Sequence, residues 1–125
     1  MPPKSMAQNP GNVLVVDDDP GLRTLSRVVL ELEGFHVRDA ASLAEAEAAL
    51  AEQRPDVVLL DVHLGPHHSA DLFRKLRELG IPVAAVTGTA DPSEYEAIAD
   101  AALPKPYQPS ALVEVVKRLM GRVEG

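Results

Sequence analysis

The chain has 125 residues, 46% of them hydrophobic and 25% charged, which places it among folded domains with one core and excludes disordered and fibrous classes. Nineteen acidic side chains against twelve basic ones give a formal charge of −7, and aromatics make up 3%, so neither direct nucleic-acid contact nor base stacking is expected. Cysteine is absent, which removes disulfides, zinc–thiolate sites and thiol catalysis, and no apolar run nears the roughly 20 residues of a membrane span, so a cytoplasmic location without a membrane partner is expected.

Residues 1–11, MPPKSMAQNPG, carry three prolines and no apolar period, and read as a flexible leader ahead of a single domain over 12–122 and a short tail at 123–125. The first predicted strand runs from Asn12 to Val16 and ends in VLVVDDDP. Asp19 then caps a helix with Pro20 in its first turn, Leu22, Leu25, Val29 and Leu32 recur at helical spacing, and Gly34 stops it. A second strand is predicted from Phe35 to Asp39, followed by a capping box, Ser42 with Glu45, that opens LAEAEAALAE.

Val57 to Leu60 and Val83 to Thr87 are continuous aliphatic runs, as expected of parallel strands covered on both faces. Between them Leu72, Leu76 and Leu79 predict a helix ending at Gly80. A further capping box, Asp91 with Glu94, predicts a fourth helix, Ala102 and Leu103 a short fifth strand, and Leu112, Val115, Val116, Leu119 and Met120 an amphipathic last helix. Alternating strands and helices predict an α/β fold, in which ligands bind beyond the carboxyl ends of the strands.

That rule gathers Asp17, Asp18 and Asp19 after strand one, Asp61 at the end of VVLLD, Thr87 at the end of VAAVT and Lys105 after the fifth strand onto one rim. Carboxylates crowded together stay ionised when a cation joins them. An all-oxygen donor set with open positions favours Mg2+, which shares phosphate oxygens. Asp61 is then a candidate nucleophile that accepts a phosphoryl group as an acyl phosphate, with Lys105 and Thr87 suited to the phosphoryl oxygens.

VLVVDDDP, VVLLDVHL, VAAVTGTA and LPKPY, in this order and spacing, resemble the response-regulator receiver domain of two-component signalling. The resemblance implies a flavodoxin-like doubly wound (βα)5 sandwich with a parallel five-stranded sheet of order 2-1-3-4-5. It also implies phosphorylation by a sensor histidine kinase or histidine phosphotransfer protein. Carried over residue by residue, Asp61 is the phosphoacceptor and Asp18 a direct magnesium ligand; Asp17 holds the metal mainly through water, and the backbone carbonyl of His63 completes the protein ligands. Thr87 is the switch hydroxyl, Lys105 the phosphate-binding lysine, and the Lys105–Pro106 bond is cis. The downstream partner is expected on the face formed by the fourth helix, fifth strand and fifth helix. Such a receiver is not an enzyme on an external substrate; it gains and loses its own phosphoryl group slowly.

Two departures from the family pattern stand out. Gly65 and Ser69 occupy the places where Pro and Gly are usual after the phosphoacceptor, with Pro66 displaced by one, which implies a remodelled loop. Ala102 occupies the place of a switch aromatic, which implies a different route for the signal.

His63 and Thr89 are read as residues that tune the phosphoryl lifetime, and His67 and His68 as solvated loop residues rather than transition-metal ligands. Packing and partner contact are both open for Tyr95 and Tyr107. An alternative function is a small haloacid-dehalogenase-type phosphatase with Asp17 as nucleophile, but Gly21 departs from that motif and no cap segment is present. A third is a docking module with a vestigial site. No output domain follows the last helix, so DNA binding by this chain is not expected.

Overall fold

Strand β1, Asn12–Val16, alternates its side chains between two cores, and the rest of the fold follows from that alternation. The structure is a computed structural model that describes residues 11–64, 67–88 and 99–124. After β1 come α1 (Pro20–Leu32), β2 (His36–Ala40), α2 (Leu43–Glu52), β3 (Val57–Asp61), a hairpin of β4 (His63–Leu64) and β5 (His67–His68), α3 (Ala70–Leu79), β6 (Val83–Thr87), β7 (Ala101–Pro104) and α4 (Pro109–Glu124). The five long strands form one sheet in the order β2-β1-β3-β6-β7. Every pairing in it is parallel. With the hairpin set aside, this is the expected flavodoxin-like order.

Val13 and Val15 of β1 join Val57, Leu59, Ala84 and Val86 on one face, where Leu30 of α1 and Leu112, Val116 and Leu119 of α4 cover them. Leu14 and Val16 join Val58, Leu60, Val83 and Ala85 on the other, beneath Ala46 of α2 and Leu72, Phe73 and Leu76 of α3. Burial on both faces explains the unbroken aliphatic runs of β3 and β6.

The helix ends form where local chemistry places them. Asp19 Oδ1 accepts from the Gly21 and Leu22 N–H groups, a cap worth about 1 kcal/mol. Ser42 accepts from the Glu45 N–H while the Glu45 carboxylate accepts from the Ala41 N–H. Gly80 closes α3 with φ 74°, a left-handed conformation that a Cβ disfavours, and Gly34 follows α1 with φ 98°.

Four details differ from the sequence reading. Helix α1 buries Ser26 and Leu30, and leaves Leu25 and Leu32 exposed, the latter at 82%. Its aliphatic residues wrap round the helix, so spacing alone does not choose the stripe; packing on β1, β2 and α4 does. The β3–α3 segment forms a two-stranded antiparallel hairpin, pairing His63 with His68 and Leu64 with His67, where only an altered loop was expected. Strand ends move by one residue: β2 ends at Ala40, β3 includes Asp61, and β7 spans Ala101–Pro104. Gly11, assigned to the leader, is buried, and its carbonyl accepts from the His36 N–H at 3.0 Å. The fourth predicted helix from Asp91, together with Gly65, Pro66, Thr89 and Tyr95, lies outside the described residues.

Candidate functional site

Parallel strands end on the same side of their sheet, so the register decides what meets at the rim. Val16 aligns with Leu60, Asp61 with Val86 and Thr87 with Pro104, which sets Asp17, Asp61, Thr87 and Lys105 around one end of the three central strands and β7. One carboxylate oxygen from each of Asp17, Asp18 and Asp61 lies within 4.8 Å of the others. Asp17 and Asp61 are buried and Asp18 is exposed. Among the described residues this is the one cluster of three acidic, histidine or cysteine groups with the spacing of a metal site.

Lys105 closes the cluster. Its Nζ lies 3.0 Å from Asp61 Oδ2 and 3.6 Å from Asp17 Oδ2, so one ammonium faces two buried carboxylates. The backbone holds each participant: the His63 N–H donates to Asp61 Oδ1 at 3.0 Å, the Asp19 N–H to Asp17 Oδ1 at 2.9 Å, and the Lys105 N–H to the Thr87 carbonyl at 2.7 Å. Thr87 is fully buried at the end of β6, and the Lys105–Pro106 peptide is cis, as expected.

Burial pushes the Asp17 carboxyl above the ordinary aspartate range, and the charge of Asp61 adds to this against the opposing effects of the Asp19 N–H and Lys105. Burial alone would lower the Lys105 pKa; its hydrogen bond to Asp61 and the charges of Asp61 and Asp17 outweigh that, and the net shift is upward. One lysine therefore leaves an excess of negative charge among three carboxylates. The donor set is all oxygen and open to solvent at Asp18, which fits a small hard divalent cation and does not suit a thiolate- or imidazole-preferring metal.

Three contributors are not visible as motifs. Ser69, 1% exposed, donates its hydroxyl to the backbone carbonyl of Asp61 at 2.7 Å. Arg23 Nη1 donates to the backbone carbonyl of Asp17 at 2.8 Å. Tyr107, whose role the sequence leaves open, shares a 2.7 Å hydrogen bond with Ser26 on α1. Only the departure at Ser69 signals any of these in advance. The His63 side chain is exposed on β4. An apolar groove between α1 and α4, lined by Val29, Leu32, Pro109 and Val113, contains none of the cluster residues.

The family description "Response regulator receiver domain" matches residues 13–117. The chain belongs to the response regulator receiver domain family. This receiver is 37% identical over 117 residues to the DNA-binding response regulator MtrA of Mycolicibacterium smegmatis, covering 90% of this chain and 51% of that protein. It is 40% identical over 123 residues to the transcriptional regulatory protein AruR of Pseudomonas aeruginosa, covering 89% of this chain and 50% of that protein. The chain thus spans about half the length of the curated relatives it matches. Among solved structures, a CheY-like receiver domain protein from Methanospirillum hungatei superposes with a TM-score of 0.83 at 30% identity, covering 91% of this chain and 96% of that one. The receiver is a phosphoacceptor module of two-component signalling, and the phosphatase alternative with Asp17 as nucleophile finds no support in these likenesses. Among the described residues, no helix is long and apolar enough to cross a membrane.

Proposed function

We propose that this receiver takes a phosphoryl group from a phosphohistidine onto Asp61. A carboxylate oxygen of Asp61 attacks phosphorus, the new O–P bond forms as the N–P bond breaks, and the imidazole leaves with the electron pair. The observation that carries this reading is the meeting of Asp61 with Lys105 at 3.0 Å and with Asp17 and Asp18 inside one 4.8 Å cluster. The reaction needs in-line positioning and neutralisation of charge on the transferring oxygens, and little else from the protein.

Asp17, Asp18, Asp61 and the backbone carbonyl of His63 would hold Mg2+, which when bound supplies charge neutralisation at the phosphoryl oxygens. Lys105 binds a phosphoryl oxygen with the same ammonium that faces Asp61 before transfer. The Thr87 hydroxyl, at the end of the neighbouring strand, approaches the phosphoryl group and reports its arrival. Slow self-labelling by small phosphodonors and slow hydrolysis complete the cycle; no external substrate is turned over.

The donor is a sensor histidine kinase or a histidine phosphotransfer protein. The receiver proper is placed at residues 12–122, with 1–11 as leader and 123–125 as tail, although Gly11 packs against the fold and the last helix runs on to Glu124. A downstream protein docks on the face of the helix predicted after residue 91, β7 and α4; that helix lies outside the described residues. Curated relatives are named as DNA-binding regulators, whereas the charge of −7 opposes direct DNA contact by this segment. The absence of cysteine supports a cytoplasmic setting.

The test is intact and peptide mass spectrometry after treatment with acetyl phosphate and Mg2+. A single added phosphoryl group on the peptide bearing Asp61, absent in Asp61→Ala, is expected. Label on Asp17, or none on wild type, overturns the reading.

A further inference from the structure

Helix α1 contacts both the backbone of Asp17 and the connection that follows Lys105. Arg23 grips the Asp17 carbonyl at 2.8 Å, and three residues on, along the same helical face, Ser26 meets the Tyr107 hydroxyl at 2.7 Å. Ser26 is 1% exposed, and Tyr107 packs its ring against the core between the sheet and α4. Tyr107 stands two residues beyond Lys105 in the connection from β7 to α4.

An apolar pair would fill this space without the desolvation of two hydroxyls, so the pair contributes direction rather than volume. A hydrogen bond between them fixes the ring relative to α1 and with it the short segment that carries Lys105. That segment is tied on its other side by the Lys105 N–H to the Thr87 carbonyl. The need for such a tie follows from the lysine itself, a point charge on a flexible four-carbon stem whose reach to two carboxylates depends on where its backbone is anchored. Burial raises the Tyr107 pKa above the ordinary tyrosine value against the opposing Ser26 hydrogen bond, with Asp17, Lys105 and Asp61 contributing less.

We propose that Ser26 and Tyr107 are positioning residues: their hydrogen bond braces the Lys105 segment against α1, so that one helix sets the spacing between the lysine and the acidic cluster. The proposal rests on the reading of Asp61 as phosphoacceptor. It assigns to Tyr107 a role in the rate of phosphoryl transfer that packing alone does not require.

The experiment compares wild type, Tyr107→Phe, Ser26→Ala and the double variant by the maximal rate of Asp61 labelling at saturating acetyl phosphate and Mg2+, together with magnesium affinity by calorimetry. Each single variant is expected to lower the maximal rate about threefold to tenfold, the range one neutral hydrogen bond commands. Magnesium affinity should stay at the wild-type value, because Asp17, Asp18 and Asp61 are untouched. The double variant should be no slower than the slower single one, since both remove the same bond. Wild-type rates in both single variants overturn the proposal, as do losses that multiply in the double variant or a parallel loss of magnesium affinity. Should Ser26→Ala fail to fold, Tyr107→Phe, which keeps the ring, decides alone, and Ser26→Thr, which keeps the hydroxyl, should retain the wild-type rate. A wild type that takes no label on Asp61 overturns the phosphoacceptor reading and the brace with it, whereas a labelled wild type with indifferent variants overturns only the brace.

Discussion

The hydroxyl of Ser69 donates to the backbone carbonyl of Asp61 at 2.7 Å, tying the start of α3 to the end of β3 across the hairpin. Its own N–H donates to the Val62 carbonyl at 3.2 Å, so a single residue closes the segment twice. Removing the hydroxyl leaves the backbone bond in place and deletes one buried interaction. Ser69→Ala should therefore cost about 1 kcal/mol, seen as a lower urea midpoint with an unchanged slope. An undiminished midpoint would mean that the carbonyl finds another partner at no cost.

Magnesium should stabilise the folded chain, because the three-carboxylate cluster exists only when β1 and β3 are paired. At a free concentration of about 100 times Kd, the gain is about 2.7 kcal/mol. The melting temperature should rise with magnesium, fall back on chelation, and lose this response in Asp18→Ala, which removes the exposed ligand while sparing the buried pair. A response that persists in that variant would place the ion elsewhere.

Asp17 makes the metal-free protein sensitive to acid in a particular direction. Its folded pKa is raised, chiefly by burial and then by Asp61, so the folded state holds a proton more readily than the unfolded chain. Its contribution to stability accordingly falls as pH rises from the ordinary aspartate value of about 3.9 through the raised one, and above that window the ionised group is a constant penalty. Asp17→Asn removes the penalty: the amide oxygen can accept from the Asp19 N–H, and the amide nitrogen can donate towards Asp61. In chelator at neutral pH this variant should melt above wild type, while binding magnesium less tightly. A lower melting temperature would show that the Asp17–Lys105 contact outweighs burial and repulsion.

Lys105 acts at the opposite end of the pH scale. Its folded pKa is raised, so its stabilising contribution is fully present below the ordinary lysine value of about 10.4 and is lost as pH rises through the folded value. The urea midpoint of wild type should drop in that alkaline window, and the drop should be smaller in Lys105→Met. Equal drops would assign the alkaline loss to the tyrosines and other lysines.

Arg23 offers a test of the other half of the α1 contact. Its guanidinium donates to the Asp17 carbonyl and lies 3.9 Å from Asp39, a looser ion pair on the same side chain. Arg23→Ala should lower stability by about 1–2 kcal/mol through loss of the charge-assisted bond, whereas Asp39→Ala should change it less, since its contacts with Arg23 at 3.9 Å and Arg27 at 3.4 Å are long and only partly buried. Comparable losses in the two variants, read from urea midpoints, would assign the effect to the ion pair instead.

The caps at Asp19 and Ser42 and the rim residues Asp17, Asp18, Asp61, Thr87 and Lys105 were legible in the amino-acid order, whereas the sheet order followed from the family resemblance. Parallel strands deliver their carboxyl ends to one side whatever the details of packing, so knowing where each aliphatic run stops is enough to know what meets there. The buried face of α1, the hairpin, the Ser69 contact and the Ser26–Tyr107 bond were not legible. Ser26 and Tyr107 are 81 residues apart, and neither carries a local signal that names the other. Periodicity limits which stripes a helix can bury, but the choice among them belongs to the elements it packs against, and that choice exists only once the chain has closed on itself.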